Sequence, residues 1–289
     1  MKLRFLLVSG FGLLLAFAGC KNGGKFSGYE KLPSGLYSKF FVSHEGGRKP
    51  KMGEFADITV KYFNSKDSLL FTSTSIKQVE NGVISQPVFK SSFKGSFEEA
   101  LMMMAEGDSA SFMVNADSVY MKTFGVKELP KFIEKGSYLT FYVKLHKVKT
   151  QQELMNELSE KETKLRNAYL TQNNITTAPT ESGLYFIEQA PGSGKLIAAG
   201  QTVTVKYTGK FLNGKVFDAS DLHKDEKPIE FLAGKGQVIR GWDEALLKMK
   251  KGGKASLIIP SQLGYGFQEN GPIPPFTTLV FDLEVVNVK

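Results

Sequence analysis

The sequence contains very little cysteine and histidine. Cys20 is the only cysteine among 289 residues, so no disulfide bond can form within the chain. The three histidines, His44, His146 and His223, stand far apart and lack the spacing of metal ligands. Glycine-rich phosphate loops and serine elbows are also missing from the sequence. These absences argue against metal-dependent hydrolysis and nucleotide chemistry, and no metal and no cofactor is predicted.

Long hydrophobic runs are confined to the first twenty residues. The stretch MKLRFLLVSGFGLLLAFAGC begins with two cations, continues with an apolar run and ends in small residues, which is typical of a signal peptide. Its last three residues, AGC, resemble a bacterial lipobox, so residues 1–19 are predicted to be removed and Cys20 to be lipidated. A secreted protein with a chance cysteine is the alternative. Because Lys21 is not an aspartate, the anchor is expected in the outer membrane, facing the periplasm of the bacterial cell envelope.

Strong charge of one sign is also lacking. The formal net charge is +8, and removal of residues 1–19 takes away two cations and no acid, which leaves +6. No dense basic block or RNA-type aromatic motif accompanies this excess, so no nucleic-acid partner is predicted. Hydrophobic residues make up 42% of the chain and aromatic residues 12%, enough to fill the core of a globular protein.

An internal repeat organises the rest of the chain. SGLY of residues 34–37 recurs at residues 182–185, and TVKY of residues 59–62 recurs at residues 204–207. At the same offset of 145 residues as TVKY, FEEALMMMAEGDSASFMV aligns without a gap on WDEALLKMKKGGKASLII. A tandem duplication explains this spacing, which is too long for a solenoid repeat. The predicted organisation is a signal peptide over residues 1–19, a flexible tether over 20–33, a first domain over 34–149, a helical linker over 150–177 and a second domain over 178–289.

The segment between the two copies has a helical pattern. QQELMNELSEKETKLRNAYL places Leu154, Leu158 and Leu165 on one stripe, and Thr150 stands where it can cap the start of a helix. A spacer between the domains is the favoured interpretation. A dimerisation helix is the alternative, disfavoured because only about two heptads are present.

The second copy has the pattern of an α+β domain. QTVTVKYTGKFL, KVFDAS, KASLIIP and TTLVFDLEVVNVK alternate apolar and polar residues as strands do, and Asn213-Gly214 predicts a hairpin turn between the first two. Only DEALLKM has helical spacing, with Gly252-Gly253 as its stop. We therefore expect an antiparallel sheet wrapped around one short helix.

Six ordered motifs carry a family resemblance. YTG, GKVFD, GQVIRGW, LGYG, IPP and TLVFDLEVV, within residues 182–289, resemble the FKBP-type peptidyl-prolyl cis-trans isomerases. The first copy resembles a degenerate member of the same family. The resemblance implies two tandem FKBP-like domains, each a curved antiparallel sheet closing over a helix with an apolar cavity between them. It also implies that the chain isomerises proline-containing exported polypeptides, with macrolide immunophilin ligands as further binders.

The resemblance also assigns roles to individual residues. The family's tryptophan at the helix start forms the cavity floor, which implies that position for Trp242. Asp218, Tyr207 and Tyr265 are the implied catalytic residues, through a carboxylate near the twisted bond and two hydroxyl groups. Ile229 stands where the family often has an aromatic wall, so one face is expected to stack less. The implied substrate-binding residues are Phe217, Val238, Ile239, Trp242, Ile273 and Phe281.

The first copy keeps part of this set and loses the carboxylate. One residue out from the offset of 145 residues, Thr72 stands where Asp218 would be, so little isomerase activity is expected and weak binding or a scaffold role is favoured. An apolar hollow without its polar geometry is the expected remnant. The matches proposed for the first copy are Tyr62 with Tyr207, Tyr120 with Tyr265, Phe97 with Trp242, Phe71 with Phe217 one residue out, and Phe141 with Phe281.

Two classes of function compete at this point. One is a peptidyl-prolyl isomerase that assists the folding of exported proteins. The alternative is a membrane-tethered chaperone or assembly factor that binds proline-containing segments with little turnover. Met102, Met103 and Met104 could offer clients an adaptable apolar surface, although helix core is the favoured interpretation. A subunit of a surface machine is a third possibility that the sequence does not test.

Overall fold

The computed structural model describes residues 26–76, 79–223 and 227–289. The chain divides into two compact units, with the boundary between Lys149 and Thr150. The predicted signal peptide and the lipidation site at Cys20 lie outside the described residues. Within the described ranges, no helix combines the length and the apolar character needed to cross a bilayer.

The first unit is a seven-stranded antiparallel sheet with one short helix against it. Its hydrophobic core is formed by the inward-facing side chains of the sheet and by Leu101 of the helix, which is completely buried. The helices are α1 (Phe97–Met103) and α2 (Ala116–Ser118), which continues into a π-helical turn at Val119–Thr123. The strands are β1 (Glu30–Lys31), β2 (Tyr37–Val42), β3 (Phe55–Phe63), β4 (Leu69–Thr72), β5 (Ile84–Pro87), β6 (Ser109–Asn115) and β7 (Tyr138–Lys149).

The order of these strands is β1-β2-β6-β7-β3-β4, with β5 also paired to β3. The three consecutive methionines, Met102 to Met104, lie at the C-terminal end of α1 and differ in burial. Met104 is fully buried in the core, whereas Met102 and Met103 are only partly buried. The core interpretation is therefore confirmed for Met104.

The predicted tether of residues 20–33 is wrong for its described part. The ring of Phe26 packs edge-on against Tyr37 at 5.0 Å and against Tyr138 at 5.2 Å. Strand β1 pairs with β2 through Glu30 and Lys31. Residues 26–33 are part of the first unit because an aromatic contact and strand pairing hold them there. A polar, glycine-rich segment gave no sign of either interaction.

The second unit repeats this architecture with six strands. Their order is β10-β9-β13-β12-β8, with β11 also paired to β9, and all pairs are antiparallel. The expected α+β fold with antiparallel sheets is confirmed. The elements are α3 (Gln151–Gln172), β8 (Tyr185–Ala190), β9 (Thr202–Phe211), β10 (Val216–Ala219), β11 (Ile229–Leu232), α4 (Arg240–Leu246), β12 (Lys254–Ile259) and β13 (Leu279–Val288).

Local chemistry explains where these elements begin and end. The β9–β10 turn places Gly214 at a φ of 81°, a conformation that glycine adopts without steric cost. Helix α4 buries Trp242, Ala245 and Leu246 against the sheet and ends at Leu246, earlier than the predicted DEALLKM helix. Met249 lies beyond the end of the helix and is also buried. The helical spacing of apolar residues in DEALLKM therefore indicated which residues are buried, but not where the helix ends.

The predicted helix between the repeats is confirmed as α3. Its first turn has a capping box, in which the Thr150 hydroxyl accepts a hydrogen bond from the Glu153 backbone and the Glu153 carboxylate accepts one from Thr150. The helix groups with the second unit rather than standing apart from it. Leu165 of the predicted apolar stripe is 54% exposed, whereas Glu162 is buried.

Candidate active site

Four aromatic rings meet between the sheet and α4 of the second unit, and we call this group the aromatic cup. Its members are Tyr207, Phe217, Trp242 and Phe281. Trp242 lies 5.1 Å from Tyr207 and 5.1 Å from Phe281, and Phe217 lies 5.5 Å from Phe281. All three contacts are edge-to-face, a favourable arrangement for aromatic pairs that fixes the relative orientation of the rings.

Strand register brings the cup together around a glycine. Gly209 of β9 pairs with Phe281 of β13 on one side and with Asp218 of β10 on the other. A Cβ atom on Gly209 would lie 2.7 Å from Phe217 Cζ and 2.7 Å from Phe281 Cε1. Only glycine lets the two rings approach this strand, a requirement that the sequence analysis did not identify.

A hydrogen-bonded polar group lies beside the rings. The Tyr207 hydroxyl donates to Asp218 Oδ2 at 2.7 Å. His223 Nε2 lies 3.1 Å from Asp218 Oδ1 and 3.2 Å from the Tyr207 oxygen. Sequence reasoning missed His223, whose only signal is its position five residues after Asp218. In the part of the chain that the structure describes, no group of three or more His, Cys, Asp or Glu side chains is placed to hold a metal ion.

Both tyrosine hydroxyls of this region remain protonated at neutral pH. Burial raises the pKa of Tyr207 well above its usual value, and the Asp218 carboxylate that accepts its hydrogen bond raises it further. Burial also raises the pKa of Tyr265, again with a contribution from Asp218. The Tyr207 hydroxyl therefore keeps the proton that it donates to Asp218, and the Tyr265 hydroxyl keeps a proton that it can donate to a ligand.

The structure brings five of the nine sequence-predicted site residues into direct mutual contact: the four cup residues and Asp218. Val238, Ile239 and Tyr265 are half-buried and pack on the same hydrophobic cluster, in which Ile273 is buried. The Trp242 indole N–H is buried and has no hydrogen-bond partner among the described residues.

The expectation of weaker stacking at Ile229 stays a prediction, but the same strand does contribute an aromatic contact. Phe231, two residues further along β11, lies 6.1 Å from Trp242 with the rings tilted by 39°. The aromatic residue of this strand therefore packs against the tryptophan. Sequence reasoning considered only the position of Ile229 and missed Phe231, although the two residues share one face of an alternating strand.

Strand register corrects the proposed match between Tyr62 and Tyr207. Phe112 pairs with Phe141 in the first unit as Leu257 pairs with Phe281 in the second, so Phe141 and Phe281 are counterparts. Tyr62 lies opposite Phe141, whereas Gly209 lies opposite Phe281. Tyr62 therefore occupies the position of Gly209, two residues from the predicted match.

The match proposed for Phe71 on the next strand shifts as well. Val60 replaces Tyr207, and its backbone N–H donates to Ser73 Oγ at 3.1 Å just as Tyr207 donates to Ser220 Oγ at 2.9 Å. Phe71 pairs with Tyr62 as Asp218 pairs with Gly209, so Phe71 rather than Thr72 replaces the carboxylate.

Tyr62 fills the first unit where Gly209 leaves room in the second. Its ring lies 5.6 Å from Phe71 and 4.8 Å from Phe141. Phe97 lies 4.7 Å from Phe141 and completes this cluster. The expected apolar hollow of the first unit is occupied by the protein's own tyrosine, and the tyrosine–carboxylate pair has no equivalent there.

Comparisons with known proteins agree on one family. Residues 194–286 match the family model of the FKBP-type peptidyl-prolyl cis-trans isomerase. An FK506-binding protein of Neisseria meningitidis is 44% identical over 37% of this chain and 96% of its own length. A probable FKBP-type peptidyl-prolyl cis-trans isomerase of Haemophilus influenzae is 42% identical over 47% of this chain and 54% of its own length.

Among solved structures, FkpA from Escherichia coli is similar, with 35% sequence identity, a TM-score of 0.42, and coverage of 48% of this chain and 64% of that one. The chain spans only 21% to 54% of the lengths of the longer curated relatives that it matches. The Neisseria protein is nevertheless matched over almost its whole length, and the residues that fit the family model, 194–286, include the aromatic cup. The chain belongs to the FKBP-type peptidyl-prolyl cis-trans isomerase family.

Proposed function

We propose that the second unit catalyses cis-trans isomerisation of X-Pro bonds in exported polypeptides. The observation that carries this proposal is the Tyr207–Asp218 hydrogen bond held against the aromatic cup. Family membership supports the reaction type. Anchoring through Cys20 in the outer membrane, facing the periplasm, would place the enzyme among such substrates.

The reaction needs a suitable environment rather than a nucleophile. Resonance gives the X-Pro amide a rotational barrier of about 18–20 kcal/mol. The planar amide is more dipolar than the twisted transition state, so a dry aromatic surface favours the twisted state relative to water. Trp242, Phe217 and Phe281 would enclose the proline ring and supply such a surface.

Polar groups would hold the peptide while the bond rotates. The Tyr265 hydroxyl and the backbone N–H of Ile239 would donate to carbonyl groups of the bound chain. Asp218, oriented by Tyr207, would place a carboxylate close to the twisting bond. Val238 and Ile273 would contact residues beside the proline, and macrolide immunophilin ligands would bind in the same place.

The first unit would bind client chains without turnover. In this unit Tyr62 occupies the position of Gly209, and Phe71 occupies the position of Asp218. A separate groove of about 660 Å³ includes the apolar side chains of Phe40, Met102 and Met103. Methionine side chains adapt to varied apolar partners, which suits the holding of unfolded clients.

An exposed aromatic surface favours the alternative, a tethered chaperone with incidental turnover. Phe41 is 52% exposed, and its ring stacks on the partly exposed Tyr142 at 6.3 Å. Exposed aromatic residues of this kind are suited to contacts with partly folded chains. Under this alternative, protection of clients would not depend on Asp218.

A protease-coupled prolyl isomerisation assay on the full chain tests the proposal. We expect Asp218→Ala to lower kcat/KM by about tenfold or more, a loss of about 1.4 kcal/mol in transition-state stabilisation. Asp221→Ala is the matched control, because this exposed aspartate lies three residues away and pairs with Lys206 at 3.1 Å. Circular dichroism confirms that both variants fold.

Client-aggregation assays on the same proteins separate the two functions. Turnover lost with Asp218→Ala and kept with Asp221→Ala supports the enzyme. The chaperone would be the better account if the folded wild-type chain shows no turnover and Asp218→Ala protects clients as well as the wild type does.

A further inference from the structure

A buried carboxylate on α3 lies at the base of a loop that carries part of the candidate active site. The loop joins β12 to β13 over residues 260–278 and contains Tyr265 and Ile273. Glu162 of α3 is only 5% exposed although it is a charged residue. Its side chain reaches both ends of this loop.

Three hydrogen bonds connect Glu162 to the loop. At the first end, the Ser261 backbone N–H donates to Oε1 at 2.7 Å and the Ser261 hydroxyl donates to Oε2 at 2.6 Å. At the other end, the Thr278 hydroxyl donates to Oε1 at 2.7 Å. Ser261 and Thr278 are themselves 5% and 2% exposed. One carboxylate therefore holds the beginning and the end of the loop together, and we call this arrangement the loop clamp.

The charge of Glu162 is compensated within the same helix. Arg166, one turn further along α3, places Nη1 at 3.8 Å from Glu162 Oε1. Burial of a carboxylate is unfavourable unless hydrogen bonds and a counter-charge compensate it, and apolar packing would attach a helix equally well. The Glu162 carboxylate therefore does more than attach α3 to the loop: its hydrogen bonds fix the positions of Ser261 and Thr278.

Backbone hydrogen bonds carry this geometry from the clamp to Tyr265. The Ser261 carbonyl accepts from the N–H groups of Gly264 and Gly266 at 2.9 and 2.8 Å, on either side of Tyr265. The Gly266 carbonyl in turn accepts from the Phe276 N–H at 2.9 Å. The orientation of Ser261 therefore fixes the turn from which the Tyr265 side chain extends.

We propose that Glu162 is a positioning residue that fixes the β12–β13 loop of the isomerase site from outside the family domain. This inference rests on the proposed function of the second unit. Tyr265 and Ile273 would contact the bound peptide, so a loosened loop weakens substrate binding more than it slows rotation of a bound peptide. Loss of the clamp raises KM while kcat changes little.

Glu162→Ala in the full chain tests the clamp by two independent measurements. Hydrogen exchange at the amides of Ser261, Gly264 and Gly266 is expected to accelerate by about tenfold, because the buried loop groups lose their shared acceptor. KM for a proline tetrapeptide is expected to rise about fivefold, with kcat changed by less than about twofold. Glu160→Ala, an exposed glutamate on the same helix, is the matched control and leaves both quantities unchanged.

Glu162→Gln separates the clamp from a simple charge effect. The amide oxygen can accept the two bonds made at Oε1, and the Ser261 hydroxyl can rotate to accept from the new amide group. We expect this variant to retain exchange rates and KM close to those of the wild type. If Glu162→Ala does not fold, Thr278→Val loosens the end of the loop at residues 276–278 alone.

Two results would overturn the proposal. One is wild-type exchange and KM in a folded Glu162→Ala protein. The other is exchange that accelerates equally throughout β9 and β13, which indicates general destabilisation rather than a local clamp. If the wild-type chain shows no turnover, the proposed function fails, whereas the exchange rates still decide whether Glu162 fixes the loop.

Discussion

At the scale of single residues, the second unit differs from the first most sharply at one glycine. Gly209 lets Phe217 and Phe281 approach β9, whereas Tyr62 puts a full ring in the equivalent position. Loss of the Asp218 carboxylate alone would not place any side chain among the rings. A tyrosine in place of Gly209 does so, because its ring lies where the other rings meet.

Gly209→Ala should therefore impair catalysis with a moderate cost in stability. The added methyl group must displace Phe217 or Phe281, and such overpacking costs about 1–3 kcal/mol of folding free energy. We expect kcat/KM to fall by about tenfold in the prolyl isomerisation assay. Thr208→Ala, the neighbouring residue on the opposite face of β9, is the control. Undiminished turnover by a folded Gly209→Ala protein would show that the cup tolerates the methyl group.

The sequence motifs identified individual residues of the candidate site, but they did not identify which other side chains contact them. Tyr207, Asp218 and Trp242 were found because the ordered motifs carry them. His223 and Phe231 were missed, since their contacts with these residues cross between strands and connections. Such contacts depend on strand register, which local patterns do not determine.

At the scale of elements, strand alternation was predicted well and strand register was not. TVKY at residues 59–62 and 204–207 suggested equivalent positions, but the true counterparts are displaced by two residues. A shift of two keeps every side chain on the same face of the sheet. The hydrophobic pattern is therefore equally satisfied by both registers, and only pairing with β7 and β13 distinguishes them.

Helix α3 shows the same limitation in another form. Its existence and its Thr150 cap followed from the sequence, but its attachment did not. Leu165 of the predicted apolar stripe is largely exposed, whereas the polar Glu162 is buried against the β12–β13 loop of the same unit. Hydropathy patterns place charged residues in solvent, so they cannot identify a carboxylate that binds a neighbouring loop.

Thr150→Ala should loosen the start of α3 without affecting the site. Loss of the capping box costs about 1 kcal/mol of local helix stability. Amides of the first turn should therefore exchange faster. Glu162 lies about three turns further along the helix, so kcat/KM should stay at the wild-type value. A fall in kcat/KM as large as that caused by Glu162→Ala would mean that the whole helix, rather than the loop clamp, supports the site.

At the scale of the whole molecule, duplication has produced two units with one topology and different interiors. The second unit combines the aromatic cup with a tyrosine–carboxylate pair, and α3 adds a contact to its loop. The first unit fills its cup and exposes aromatic residues instead. Turnover in one unit and client binding in the other is the division of labour that we propose.

This division is tested most directly by prolyl isomerisation in the full chain carrying Tyr207→Phe and Asp218→Ala together. Both substitutions leave the aromatic rings in place and leave the first unit unchanged. The account predicts a kcat/KM below about one tenth of the wild-type value, with the fold intact by circular dichroism. Residual catalysis above about one tenth of the wild-type kcat/KM would contradict it, because turnover would then not require the tyrosine–carboxylate pair of the second unit.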